Sequence, residues 1–204
     1  MSLLFSYKIH HDYGLAPNPF HGYCSLAVCK SQIRNNRRLK IGDWVIGTGS
    51  ENLENIHQLI FAMRVEEKIT FNEYWLDKRF IKKKPIVNGS LVQMYGDNFY
   101  HQDSNSKEWI QENSAHSLTK NEPNIDHLKR DIGGEFVLLS QEFYYFGNES
   151  PVIPQELREI CCRGRNMVIH EIGIKMTNGF IDWLQSKYST GIHGDPISWT
   201  EHLK

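Results

Sequence analysis

Ile41-Gly42-Asp43-Trp44-Val45-Ile46-Gly47 decides the fold class. Gly-Asp allows a tight turn, and Trp-Val-Ile directly after it reads as a buried strand. The polar run 50–57, SENLENIH, separates this strand from Gln58–Glu67, the clearest strand of the first half. Two strands joined by a short polar loop form a hairpin. Working outward, Leu3–His10 and Tyr23–Cys29 are apolar and strand-like, residues 131–147 hold two strand pieces around a polar break, and Asn166–Ile174 hold another.

Helical signals are short. Thr70-Phe71-Asn72-Glu73 matches a capping box, with Phe71, Tyr74 and Trp75 at helical spacing. Asn124 caps a turn or two through Leu128, and Pro154 opens a segment in which Leu157, Ile160 and Cys161 share a face. Asn178 caps a last helix whose stripe is Phe180, Trp183, Leu184 and Tyr188, which reads as core packing. No strand–helix–strand rhythm and no Gly-rich phosphate fingerprint is present, so Rossmann and P-loop folds are disfavoured. The expected class is α+β: a mostly antiparallel curved sheet or small β-barrel with short peripheral helices.

The 204 residues suit a single domain, 1–204, with a C-terminal helix and loop over 178–204. Twenty-three basic and 24 acidic residues give a net charge of -1, which argues against non-specific duplex binding by a strongly basic surface. Three local basic clusters remain: Arg34, Arg37, Arg38 and Lys40; Lys82 to Lys84; and Arg163 with Arg165. Each reads first as a solvated loop or strand edge. The N-terminus carries no secretory pattern and no stretch is long and apolar enough to span a bilayer, so a cytoplasmic location is expected. Cys24, Cys29, Cys161 and Cys162 make neither a disulfide framework nor a standard zinc spacing, so neither a metal nor a cysteine nucleophile is expected.

Polar chemistry concentrates in two stretches. His10 to Cys24 packs His11, Asp12, Asn18 and His21 into a turn stiffened by two prolines and two glycines. Such a turn can carry a polar pocket, with Asp12 or His11 as general base. Asn88 to His101 combines Tyr95, Asp97, Asn98, Tyr100 and His101, rings and polar edges that can hold a heterocyclic base by stacking and hydrogen bonding. Arg163 and Arg165, around Gly164, can clamp a phosphate, or neutralise a helix C-terminus. The irregular stretch Tyr95–Pro123 is longer than an ordinary connector, which marks it as functional or mobile.

Residues 11–30 (HDYGLAPNPFHGYCSLAVCK), 42–50 (GDWVIGTGS) and 82–101 (KKKPIVNGSLVQMYGDNFYH), with FYYFG at 143–147 and CRGRN at 162–166, resemble the nucleotide modification associated domain family, second type, over about residues 5–170. The resemblance implies a nucleotide or nucleobase ligand, in a nucleic-acid modification or phage-defence setting, without assigning catalytic roles. The 42–50 block also resembles, over a short span, the Gly-Asp turn of PUA-like and EVE-type barrels, which bind modified bases.

These readings lead to an enzyme that modifies or processes a base or nucleotide, a single-stranded or flipped-out base included. Asp12, His11 or Asp97 would handle protons, Asn18, Tyr95, Asn98, Tyr100 and His101 would hold the ligand, and Arg163 and Arg165 its phosphate. The alternatives are a non-catalytic reader of modified bases and a protein-interaction domain. No nicotinamide, flavin or methyl-donor fingerprint is present, so no cofactor is named.

Overall fold

The computed structural model describes residues 2–118, 122–162, 168–169 and 174–203. The strands are β1 (Leu4–Lys8), β2 (Cys24–Leu26), β3 (Trp44–Thr48), β4 (Leu59–Arg64), β5 (Glu67–Thr70), β6 (Tyr100–Gln102), β7 (Trp109–Gln111), β8 (Phe136–Ser140), β9 (Phe143–Tyr145), β10 (Val168–Ile169) and β11 (Gly191–Ile192). The α-helices are α1 (Ser31–Arg34), α2 (Phe71–Leu76), α3 (Leu91–Met94), α4 (Ile125–Ile132) and α5 (Ile174–Lys187), with several 3-10 segments besides. The chain divides into two compact units, each discontinuous in sequence.

The first unit comprises Met1–Tyr13, Arg38–Glu66 and Ser140–Lys204. Its sheet runs β10-β1-β3-β4-β9-β11. The Gly-Asp turn builds the centre as expected. Gly42 takes φ +94, and the Asp43 carboxylate accepts the backbone N–H groups of Leu3 and Lys40, both at 2.8 Å. That leads into β3, buried along its whole length and antiparallel to β4. Period-two alternation then sorts the side chains. Leu4, Trp44, Ile46, Ala62 and Tyr144 share one buried cluster with Phe180 and Leu184 of α5 and with Leu157 and Ile160. The aromatic stripe of the last helix is therefore core. That helix begins at Ile174 rather than after Asn178, which stands exposed inside it. The capping signal yields there to the burial of Thr177 and Phe180 on the inward face.

The second unit comprises Gly14–Arg37 and Glu67–Leu139. It holds the sheet β2-β8-β5 and the hairpin β6–β7. The Thr70 capping box is present in full, and the Asn124 side chain caps α4 by accepting the His127 N–H at 3.1 Å. Aromatic rings fill the interior: Tyr74 on Phe80 at 4.8 Å, Phe99 on Tyr100 at 4.5 Å, and Phe71 edge-on to Tyr100 at 6.0 Å.

Three expectations change. Among the described residues the pairings are mostly antiparallel, as expected, but no sheet closes into a barrel. The six-stranded sheet contains two parallel pairs, β1 with β3 and β9 with β11. Arg34 is not a solvated loop residue. It is fully buried, donating to the carbonyls of Cys29 (2.9 Å), Phe136 (2.7 Å) and Asp131 (2.6 Å), and the guanidinium occupies the space a side chain at Gly134 would need. Lys83 is also inside. The 3-10 segment Lys78–Lys83 has three residues per turn, which puts Phe80 and Lys83 on one inward face and leaves Ile81 and Lys82 outside.

Candidate functional site

Both clusters of chemistry that the geometry assembles lie in the second unit. The first is built on the turn between Asn18 and Ser25, whose backbone groups exchange two hydrogen bonds of 2.8 Å, with His21 and Gly22 at positive φ in the exposed tip. Inside that turn Lys83 Nζ donates to Asn18 Oδ1 (2.6 Å), Asn18 O (3.0 Å) and Ser25 Oγ (2.9 Å). Ser25 Oγ donates onward to Asp97 Oδ2 at 2.6 Å, and the Tyr74 hydroxyl donates to Asp97 Oδ1 at 2.7 Å. The ammonium thus reaches the carboxylate through one serine, with all three of its donors used. Burial pulls the Lys83 pKa down to about 8 despite the nearby Asp97, and burial pushes the Asp97 carboxyl up despite Lys83. Burial likewise raises Tyr74, and lifts Cys24 to about 12. Asn18, Ser25, Tyr74, Lys83 and Asp97 are each at most 1% exposed.

The second cluster centres on Asp131 of α4. Its carboxylate is completely buried and receives the Cys29 backbone N–H at 2.9 Å, Arg130 Nε at 3.1 Å and the Tyr100 hydroxyl at 3.2 Å. His116 Nδ1 stands 3.4 Å from Asp131 Oδ2, close enough for charge attraction without the alignment of a full hydrogen bond. The His116 side chain keeps 11% of its surface exposed. Burial would raise the Asp131 carboxyl, but His116 and Arg130 outweigh it and hold it down at about 2. His127, one helical turn before Asp131, meets the His116 ring edge-on at 4.7 Å, and burial lowers its pKa, helped by His116 and Arg130. A fixed carboxylate beside a partly accessible imidazole is an arrangement suited to moving protons.

The residues expected from sequence separate into groups. Asn18 and Asp97 join the first network, with Tyr95 attached through its backbone carbonyl, which accepts Asn18 Nδ2 at 3.0 Å. Asn98, also buried, donates to the carbonyls of Tyr74 (2.9 Å) and Phe80 (3.3 Å). Tyr100 belongs to the Asp131 cluster. His101 stacks on Trp75 at 4.2 Å and bonds Glu112 through Nε2 at 2.9 Å. His11 and Asp12 belong to the other unit. There Asp12 is buried, accepting the Tyr145 hydroxyl at 2.6 Å and the Ile197 N–H at 3.2 Å, while exposed His11 stacks on Tyr13 at 6.2 Å. Arg163 and Arg165 lie outside the described residues.

The sequence profile of nucleotide modification associated domain 2 matches residues 1–203. The chain belongs to this family. No curated protein and no solved structure matches it. The nucleotide modification associated domain 2 match covers the C-terminal segment after Ile174, beyond the span over which the sequence blocks alone showed a resemblance. Among the described residues no helix is long and apolar enough to cross a membrane, and no group of three or more His, Cys, Asp or Glu could hold a metal ion.

Sequence reasoning missed Ser25, Tyr74, Lys83, His116 and Asp131. One signal for His116 was present, since it sits in the long connector after Tyr95. Asp131 had none, because in sequence it opens the strand-like stretch 131–147 rather than closing α4.

Proposed function

We propose that this protein is an enzyme acting on a nucleobase or nucleotide in a nucleic-acid modification system, with His116 as the proton-transfer group and Asp131 as the residue that orients it. The observation that carries this reading is the buried Asp131 carboxylate 3.4 Å from a partly exposed imidazole. Membership of the nucleotide modification associated domain 2 family supports the substrate class. Tyr100 and Arg130 support the carboxylate, so it stays ionised and fixed while the ring accepts or releases a proton. Asp12 and Asp97 have both carboxylate oxygens engaged by protein donors, and in this reading they hold the fold rather than meet substrate.

The test compares nucleosides recovered from the nucleic acids of cells expressing the parent protein or His116→Asn, by mass spectrometry. A changed nucleoside in the parent that disappears in the variant, with melting temperatures matching, is the expected outcome. Identical nucleoside profiles from the parent, the variant and cells without the protein would favour a non-catalytic reader of modified bases.

A further inference from the structure

The second unit also contains a cleft that the proton-transfer pair does not use. It opens between α2 and the β6–β7 hairpin, with a volume of about 410 Å³, within the range of small-molecule sites. Asn72, Trp75, His101, Gln102, Ser104 and Lys107 contribute to its walls.

Two amides are locked together there. Asn72 Nδ2 donates to Gln102 Oε1 at 2.9 Å, and the Gln102 backbone N–H donates to Asn72 Oδ1 at 2.8 Å. Gln102 Nε2 donates to the Lys107 carbonyl at 3.2 Å. A carboxamide has two N–H donors and two acceptor lone pairs. Each of these bonds uses one, so both amides are held in orientation with a donor and an acceptor to spare. A fixed pair of donor and acceptor groups complements the edge of a heterocyclic base.

A flat stack adjoins the amides. His101 lies 4.2 Å from Trp75 with only 10° between the ring planes, and Lys84 Nζ sits 3.3 Å from the centre of the Trp75 ring. Lys84 and Lys107 bring two positive charges to this side of the unit.

We infer that the cleft binds one unpaired base of a nucleotide or of single-stranded nucleic acid. Asn72 and Gln102 read its edge, the Trp75–His101 stack walls the cleft beside it, and Lys84 and Lys107 draw its phosphate. A duplex keeps base edges paired and faces stacked, so it does not fit. The inference rests on the nucleotide reading of the family but not on the chemistry of His116. Tyr100 of β6 bonds Asp131, while His101 and Gln102, the next two residues, border the cleft.

The experiment is fluorescence anisotropy of the full chain with a short fluorescein-labelled single-stranded oligonucleotide, competed by each of the four common mononucleotides and by a duplex. The parent is expected to bind single strand at least about tenfold more tightly than duplex. Gln102→Leu should weaken binding by about tenfold, the usual effect of leaving a polar edge unmatched. Gln102→Glu replaces a donor by an acceptor and should reorder the four competitors, a result that simple loss of structure would not give. Lys107→Ala, at an exposed position, should weaken binding and flatten its salt dependence. Parent-like affinity and ranking in both Gln102 variants would overturn the cleft assignment while leaving the nucleotide reading intact. Failure of the parent to bind any nucleotide or oligonucleotide would overturn both.

Discussion

Replacing Lys83 by Met tests the buried network most directly. The change keeps most of the length of the side chain and removes its charge. It strips Ser25 Oγ, Asn18 Oδ1 and Asn18 O of a charged donor and leaves Asp97 buried without its compensating cation. Leaving a buried charge uncompensated typically costs about 3–5 kcal/mol, and that is the loss expected at pH 7. The lysine also gives a pH signature. Its pKa falls from 10.5 to about 8 on folding, so between those values the unfolded chain binds more protons than the folded one. Stability contributed at this position therefore rises as pH rises through the window, by about 1 kcal/mol from pH 8 to pH 9. Cys24 acts in the opposite sense above 9.0, and Tyr74 above 10.0, because burial raises both. The comparison is therefore made at pH 7, 8 and 9, by urea denaturation followed by tryptophan fluorescence. The Lys83→Met protein should lack this contribution to the slope, and Lys83→Met with Asp97→Asn should cost less than the two single changes added together. A Lys83→Met protein within about 1 kcal/mol of the parent at pH 7, with an unchanged slope, would refute the buried ammonium.

Other perturbations probe separate parts of the argument. Gly134→Ala sets a methyl group against the Arg34 guanidinium, and should destabilise by about 1–3 kcal/mol with a matching drop in the denaturation midpoint. Phe180→Ala empties a fully buried position beneath the six-stranded sheet and should cost about 3–5 kcal/mol. Asp12→Asn leaves an amide between the Tyr145 hydroxyl and the Ile197 N–H, where only an acceptor suits both. It should lower stability by about 1–3 kcal/mol and leave turnover of the surviving folded protein unchanged, whereas lost turnover at full stability would return Asp12 to the role of general base.

Local signals survived where backbone chemistry decides the outcome. The Gly42-Asp43 turn, the Thr70 capping box and the Asn124 cap were all legible because each is satisfied within a few residues. The strands flanking the Gly-Asp turn were legible for the same reason. The parallel pairing of β1 with β3 was not, since alternation fixes which face a residue takes but not which neighbour its strand finds. Composition misled at Arg34 and Lys83. Basic clusters are normally solvated, and what buries these two is a set of acceptors drawn from distant segments: Asp131 and Phe136 for one, Asn18 and Ser25 for the other. The candidate site followed the same rule. The stretches His10–Cys24 and Asn88–His101 were singled out as rich in polar chemistry, but Tyr95 and Lys83 for Asn18, Tyr74 and Ser25 for Asp97 and Asp131 for Tyr100 lie 23 to 77 residues away in sequence. Spacing along the chain does not encode that.

The interleaving of the two units sets an order of events during synthesis. The second unit is complete once Leu139 has emerged from the ribosome. The first cannot be, although it begins at the N-terminus, because β9, β10, β11 and α5 all follow that residue. The hairpin of β3 and β4 must therefore wait with Trp44, Ile46 and Ala62 uncovered while the insert folds. The late-arriving helix α5 then closes over them, making the last third of the chain the step on which the earliest-made strands depend.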